Sequence, residues 1–360
     1  MEETNLKNIT LQKLGWQEFF EKQITDSGFS VARVVLQHKY LYRVVNANGE
    51  FIAEPTGKFT YEVTTKKDFP AVGDWVLITE MPNEKKAMIH KLLDRKSAFI
   101  RQAAGSKTVD QIVASNVDLV FIVQSLNHDF NLRRLERYLL LAYESKSKPI
   151  IILTKKDLCS DLDEKLEMVD DITFGAVPVI AVDNKNGNGL DAVHEIIESG
   201  TTIALIGSSG VGKSTLFNAL MGKNVAETGD IREDDSMGRH TTTHRELFLL
   251  ENGGIVIDTP GMRELQVTGS GQSAQTTFSD IEELISECRF SDCSHGNEPG
   301  CRINEALSNK SLCYNRYSNY LKLQKELAYV ARRQKQQDTI NNKRSNKRTN
   351  ERGNEKWKNL

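Results

Sequence analysis

Between Ile203 and Leu220 the chain reads IALIGSSGVGKSTLFNAL. Within it, Gly207 to Ser214 spells G-S-S-G-V-G-K-S, a spacing suited to holding phosphate. Gly207, Gly210 and Gly212 let the backbone turn tightly and aim its N–H groups inward. Ser208, Ser209 and Val211 complete the turn, and Thr215 follows on the next element. A helix starting there adds a favourable partial positive charge. The Lys213 ammonium can reach the β- and γ-phosphates of a nucleotide, and the Ser214 hydroxyl can ligate Mg²⁺. A chance glycine-rich turn would lack the strand before and the helix after. The cradle alone does not choose between ATP and GTP.

Upstream of the cradle, Thr154 to Asp157 reads T-K-K-D directly after the apolar run PIIIL. A carboxylate at Asp157 can accept hydrogen bonds from the N1–H and N2 amino groups of guanine. Adenine lacks that donor pair and would leave the carboxylate unpaired. The methylene stem of Lys155 can cover one face of the base, with Lys156 beside it. Such a charged loop is weak by itself. Its place after a parallel strand, at the edge where ligands bind, strengthens it. AVDNKNGNGL, residues 181–190, offers a second backbone contact to the base.

Downstream, Asp258 to Gly261 reads D-T-P-G after the strand GIVI. Asp258 can hold Mg²⁺ through water, and the Gly261 N–H can meet a γ-phosphate. GRHTTT, residues 238–243, lies between cradle and DTPG, where a switch belongs. One of Thr241, Thr242 and Thr243 can ligate Mg²⁺ there; the sequence does not select which. Met262 occupies the position where Ras-type GTPases carry a water-orienting Gln. A thioether cannot orient water, so unaided hydrolysis is expected to be slow. His240 is a candidate substitute, set against the plain alternative of a solvent-exposed loop histidine. The order of these pieces is base loop, cradle, switches, a circular permutation of the usual GTP-binding domain.

A separate cluster, Cys288, Cys293, His295 and Cys301, has the spacing C-x4-C-x-H-x5-C. Three thiolates and one imidazole suit one tetrahedral structural Zn²⁺. So polar a loop is a poor place to bury unliganded thiols. Cys159 and Cys313 fall outside the spacing and read as ordinary buried residues.

The elements that must position these groups follow from periodicity. LQKLGWQEFFEKQI reads as one amphipathic helix ahead of a β-rich segment. Short β-branched runs in FSVARVVLQHKYLYRVVNANGEFIAEP, then PAVGDWVLI, predict a small barrel or sandwich. From Asp118 strands alternate with helices, which predicts a parallel sheet covered on both faces. The expected division is 1–27 extension, 28–97 barrel, 98–263 nucleotide domain, 264–335 metal-binding helical domain and 336–360 basic tail, disordered when alone.

The 360 residues are 39% hydrophobic and 27% charged, the balance of a soluble multidomain protein. The apolar runs VDLVFIV and PIIIL are too short to span a bilayer, and no signal peptide is apparent. Five cysteines, three of them crowded together, point to a reducing, cytoplasmic setting. The net charge of −2 hides an asymmetry: residues 331–360 carry ten Lys or Arg against three Asp or Glu, leaving −9 on the rest. Such a tail can neutralise nucleic-acid phosphates or simply be solvated. Tyr40, Tyr42, Phe51, Tyr314, Tyr317 and Tyr320 are the aromatics available for stacking on RNA.

PAVGDWV, NLRRLERYL, TKKD, GSSGVGKSTLFNAL, GRHTTTHREL, DTPGMREL and the Cys/His knot, in that order, resemble the RsgA (YjeQ) family. These are circularly permuted, small-ribosomal-subunit-dependent GTPases of bacteria, and the likeness covers residues 28–330. The resemblance implies a multidomain α/β fold: an N-terminal OB-type β-barrel, a permuted P-loop GTPase domain and a C-terminal zinc-binding helical domain. It further implies binding to the 30S subunit and its 16S rRNA late in assembly; a monomer is expected, although the sequence does not fix the oligomeric state. Hydrolysis of GTP to GDP stimulated by that subunit, and dealings with other assembly factors, come with it. Thr154 stands where the family often has Asn. Two other functions are compatible with parts of the same pattern, an RNA-anchored GTP sensor with incidental hydrolysis and a P-loop ATPase or nucleoside kinase.

Overall fold

A computed structural model describes residues 9–25, 28–38, 41–102, 110–225, 245–258, 275–296, 298–325, 327–329 and 331–332. The chain divides into two units, Met1–Gln266 and Val267–Leu360.

The segment ahead of the barrel is not one helix. It makes a single 3-10 turn, Gln12–Leu14, and a short helix α1, Glu18–Glu21. The break is at Gly15, at φ +84°, in the left-handed region. A Cβ there would lie 2.7 Å from a nitrogen of Arg33 and 2.8 Å from the Gly200 carbonyl, so close packing requires the glycine. Leu14 and Phe20 are buried, and Trp16 meets Trp75 edge-on at 4.8 Å between centroids.

Strands β1 (Ser30–His38), β2 (Leu41–Asn46) and β3 (Gly49–Pro55) form an antiparallel meander. Helix α2 (Gly57–Glu62), N-capped by Thr56, leads on to β4 (Trp75–Met81) and β5 (Lys86–Leu92). β5 pairs parallel to β3 and antiparallel to β4, and β4 returns to β1. That closure makes a five-stranded OB-type barrel and excludes the sandwich. Ala32 and Val34, Tyr42 and Val44, Phe51 and Ala53, Val76 and Ile78 point inward at strand period two. Each large apolar side chain removed from water in this way contributes about 1.5–3 kcal/mol. Tyr42 and Phe51 are therefore core residues and cannot stack on RNA; Tyr40 lies outside the described residues.

A two-stranded ribbon, β6 (Ala98–Gln102) with β7 (Asp110–Ser115), follows the barrel. Then come β8 (Leu119–Ser125), α3 (Leu132–Glu144), β9 (Lys148–Thr154), α4 (Leu162–Thr173), β10 (Val179–Ala181) and α5 (Leu190–Glu195). The unit continues through β11 (Thr202–Ile206), α6 (Lys213–Met221), β12 (Arg245–Leu249) and β13 (Ile255–Asp258). The strand order is β10-β9-β8-β11-β13-β12, all parallel except β12. Phe121 and Val123 of β8 pack with Val193 of α5 and with Leu216, Phe217 and Leu220 of α6. Strand alternation leaves Val120 and Ile122 for the opposite face, and α3 packs on β8 and β9.

β12 also pairs with β1, Leu36 opposite Glu246 and Gln37 opposite Arg245, so one eleven-stranded sheet runs from the nucleotide-type domain into the barrel. Arg33, 1% exposed, sits at this joint. Its guanidinium donates to the Leu14 and Gly73 carbonyls and, at 2.9 Å, to Thr202 Oγ1, and lies over the Trp75 ring. Burial lowers it to about 10, against the attraction of Asp118 and Asp74. Asp118 accepts the Thr202 N–H at 2.8 Å and pairs with Lys96, and Gln17 bonds both Asp118 and Lys96. The extension thus pins barrel and sheet together.

The second unit contains α7 (Ser279–Ser286), α8 (Arg302–Ser308) and helical residues 314–325, with no strand among its described residues. Arg316 bonds both Asp280 oxygens at 2.8 Å. Tyr317 and Tyr320 are buried, which removes them as stacking platforms, whereas Tyr314 is exposed. The tail from residue 333 lies outside the described residues. No helix among the described residues is long and apolar enough to cross a membrane.

Candidate nucleotide site and metal cluster

The carboxyl ends of β9, β8, β11, β13 and β10 all open on one edge of the sheet, where α/β proteins place ligands. Each chemical segment leaves from one of those ends. The cradle leaves β11. Gly207 has φ +151°, and a Cβ there would lie 2.3 Å from the Val123 carbonyl of β8, so only glycine admits the turn. Lys213 at the start of α6 folds its ammonium back onto the Gly207 carbonyl at 2.8 Å and onto that of Ser208. Ser214 and Thr215 occupy the first turn of α6, with Ser209 and Gly210 exposed at the rim.

The base loop leaves β9 and reaches the cradle. Thr154 is fully buried, and its hydroxyl donates to the Val211 carbonyl at 2.5 Å, with a longer 3.4 Å contact to Gln124. Lys155, in the left-handed region at φ +59°, extends its ammonium to the Gly210 carbonyl at 2.8 Å. Lys156 donates its N–H to Val182, and Asp157 stands exposed in a one-turn 3-10 helix, Lys156–Leu158. The segment after β10 arrives from the other side. Asn184 Nδ2 donates to the Gly212 carbonyl at 3.4 Å. Asp183 beneath it accepts the N–H groups of Lys185 and Asn186, and the Asn186 side-chain bond leads the causes that lower its pKa.

Asp258 ends β13. Burial first, and the Glu246 charge second, push its carboxyl above the usual range, while Lys213 pulls the other way. His240, Thr241, Thr242, Thr243, Gly261 and Met262 lie outside the described residues.

Two neighbours of the cradle were missed in the sequence. Ser208 Oγ lies 3.4 Å from Asp129 Oδ2, and Asp129 is held by Arg134 at 2.8 Å. The other is the Asn184 side chain, whose bond to Gly212 goes beyond the backbone contact expected of residues 181–190. Asp129 follows β8 within a strand-end loop, the one local signal that was available.

In the second unit the ligand atoms of Cys288, Cys293, His295 and Cys301 all lie within 4.8 Å of one another. His295 Nδ1 is 3.6 Å from both the Cys288 and Cys301 sulfurs. This donor set and spacing can hold a metal ion. Cys159 and Cys313 are not buried as expected: Cys159 is half-exposed and Cys313 exposed. Polar contacts to Asp161 and Lys165 keep Cys159 at the surface.

The chain is 46% identical, over 90% of its length and 91% of the relative's, to "Small ribosomal subunit biogenesis GTPase RsgA 1" of Listeria innocua. This chain belongs to the RsgA GTPase family. The family model, RsgA GTPase, matches residues 92–268. A second relative of the same name, from Oceanobacillus iheyensis, is 48% identical over 84% of this chain and 87% of its own. Among solved structures, YjeQ from Thermotoga maritima superposes with a TM-score of 0.63 at 26% identity, covering 83% of this chain and 99% of that one. YloQ, described as a circularly permuted GTPase, shares the fold at a TM-score of 0.60 and 24% identity, covering 84% and 96%. As an RsgA-family GTPase the chain has the permuted strand order that its motif order required: β9 with the base loop precedes β11 with the cradle, yet both sit in one sheet.

Proposed function

We propose that this protein hydrolyses GTP while acting on the small ribosomal subunit during its biogenesis, the role for which its relatives are named. The observation that carries this reading is the meeting of base loop and cradle at Thr154 and Val211. It brings the Asp157 loop and Lys213 to one edge, where a single purine nucleotide can touch both. In this reading Asp157 pairs with the guanine N1–H and N2 groups, and the Lys155 stem covers the base. The cradle N–H groups of residues 207–215 bind phosphate oxygens, and Lys213 neutralises charge that develops on the transferring phosphoryl group.

Ser214 and Asp258, with one threonine of 241–243, form the oxygen-donor set that suits Mg²⁺. The metal supplies charge neutralisation at the phosphates when bound. Met262 offers no hydrogen bond to water, so His240 is assigned to orient it, and turnover alone is slow. Cys288, Cys293, His295 and Cys301 hold one structural Zn²⁺, the ion that three thiolates and an imidazole favour. The domain division at 27, 97, 263 and 335, a monomeric state, a cytoplasmic setting, and contacts with 16S rRNA and other assembly factors belong to the same reading.

The deciding experiment is GTP turnover with purified 30S subunits, with 50S subunits and with neither. Stimulation by orders of magnitude with 30S alone is expected. Equal turnover in all three would instead favour a GTP sensor with incidental hydrolysis.

A further inference from the structure

Four residues lie in one row across four strands. Arg43 of β2 is opposite Leu36 of β1, Leu36 is opposite Glu246 of β12, and Glu246 is opposite Asp258 of β13. Directly opposed residues on antiparallel strands project from the same face, with Cβ atoms about 4.5–5.5 Å apart. Arg43 reaches past Leu36 and pairs with Glu246 through a terminal guanidinium nitrogen. Its Nε lies 3.5 Å from Glu50 on β3. The Arg43 and Glu246 side chains are only 27% and 31% exposed, so solvent screens the pair incompletely. Glu246 therefore faces two ways: toward a cation contributed by the barrel, and toward the carboxylate that ends β13. Like charges directly opposite are unfavourable unless one of them is neutralised.

We propose that Arg43, a barrel residue 203 positions before Glu246, is a positioning residue of the nucleotide centre: by offsetting Glu246 it lowers by one the negative charge beside which Asp258 meets the nucleotide and its magnesium. This rests on the assignment of Asp258 and Lys213 to the nucleotide made above. The consequence is electrostatic and has a defined sign. Without Arg43, the uncompensated Glu246 repels a polyphosphate. Magnesium offsets much of that repulsion, so the variant leans more heavily on the metal for nucleotide binding.

The test is binding of a fluorescent GDP to the full chain, once in EDTA and once in excess Mg²⁺. The quantity read is the ratio of the two dissociation constants. Arg43→Gln should raise that ratio about five- to tenfold, the scale of one incompletely screened charge several ångströms away. Arg43→Lys, which keeps the charge, should leave it near wild type. Glu246→Gln alone should lower the ratio, and Arg43→Gln with Glu246→Gln should bring it back to the wild-type value. A merely structural role would weaken binding equally in both media and would not be restored by the second substitution; either result overturns the proposal. Asp258→Asn separates the two levels of inference. If it leaves the magnesium effect intact, the assignment of Asp258 fails and this proposal fails with it. If it abolishes the effect while Arg43→Gln changes nothing, only the role of Arg43 is overturned.

Discussion

Thr154 and Val211, 57 positions apart, are joined by a hydrogen bond from a fully buried hydroxyl to a carbonyl inside the phosphate cradle. The bond holds the base loop against the cradle. Replacing Thr154 by Val keeps the shape and leaves the Val211 carbonyl without its donor, a cost of about 1–3 kcal/mol. The expected outcome is a folded chain whose GDP affinity falls roughly 5- to 150-fold. Thr154→Ser should retain most of it. Calorimetric titration with GDP measures both, and an unchanged affinity in the Val variant would remove the bond from the site.

Gly207 is the backbone position that tolerates least. At φ +151°, with the Val123 carbonyl 2.3 Å from any added Cβ, Gly207→Ala must displace either the turn or β8. The predicted loss of stability is about 2 kcal/mol or more, with nucleotide binding lost. Denaturant unfolding and fluorescent-GDP binding read the two effects separately. Gly57, with no atoms near its would-be Cβ and an ordinary helical backbone, is the control.

The parallel sheet and the cradle were legible because their signals are local: apolar runs alternating with helical stretches, and glycines, a lysine and a serine at fixed spacing; the strand order and the antiparallel β12 were not. The joint between barrel and sheet was not legible. Arg33 looks like a surface arginine in SVARVVLQH until the extension, Trp75 and Thr202 are seen around it. Its partners come from segments far apart in sequence, and no periodicity reports them. The stacking aromatics were misjudged for a related reason. Strand alternation shows that Tyr42 and Phe51 share a face with apolar neighbours, but only barrel closure shows that this face is enclosed. In the same way, Glu246 acquires meaning only from its register opposite Asp258.

Removal of the metal should affect one unit. The Cys293→Ser, Cys301→Ser double variant is expected to lose zinc, about one ion per chain, because structural zinc contributes on the order of 10 kcal/mol to folding of such modules. The second unit should melt while GDP binding by the first persists. Metal analysis by mass spectrometry together with fluorescent-GDP titration tests this; full zinc retention would refute the ligand set.

Tyr320 gives the second unit an alkaline limit. Its hydroxyl donates to Glu282 Oε1 at 2.9 Å. Burial first, then that bond, push the phenol above its ordinary value of 10.0. An unfolded tyrosine ionises first as pH rises, so the stability from this group is complete below the ordinary value and is lost as pH climbs toward the folded one. Tyr320→Phe should flatten the alkaline decline of the melting midpoint, and a decline of unchanged steepness would count against the assignment.

Asp157, encoded before the cradle, and Lys213, encoded within it, are proposed to grip opposite ends of one guanine nucleotide. Asp157→Asn exchanges an acceptor for a donor at the base. Competition of GTP and xanthosine triphosphate against a fluorescent GDP measures the consequence directly. The variant should lose GTP affinity by roughly a hundredfold or more and gain it for xanthosine triphosphate. A variant that still prefers GTP as strongly as the wild type would place Asp157 away from the base.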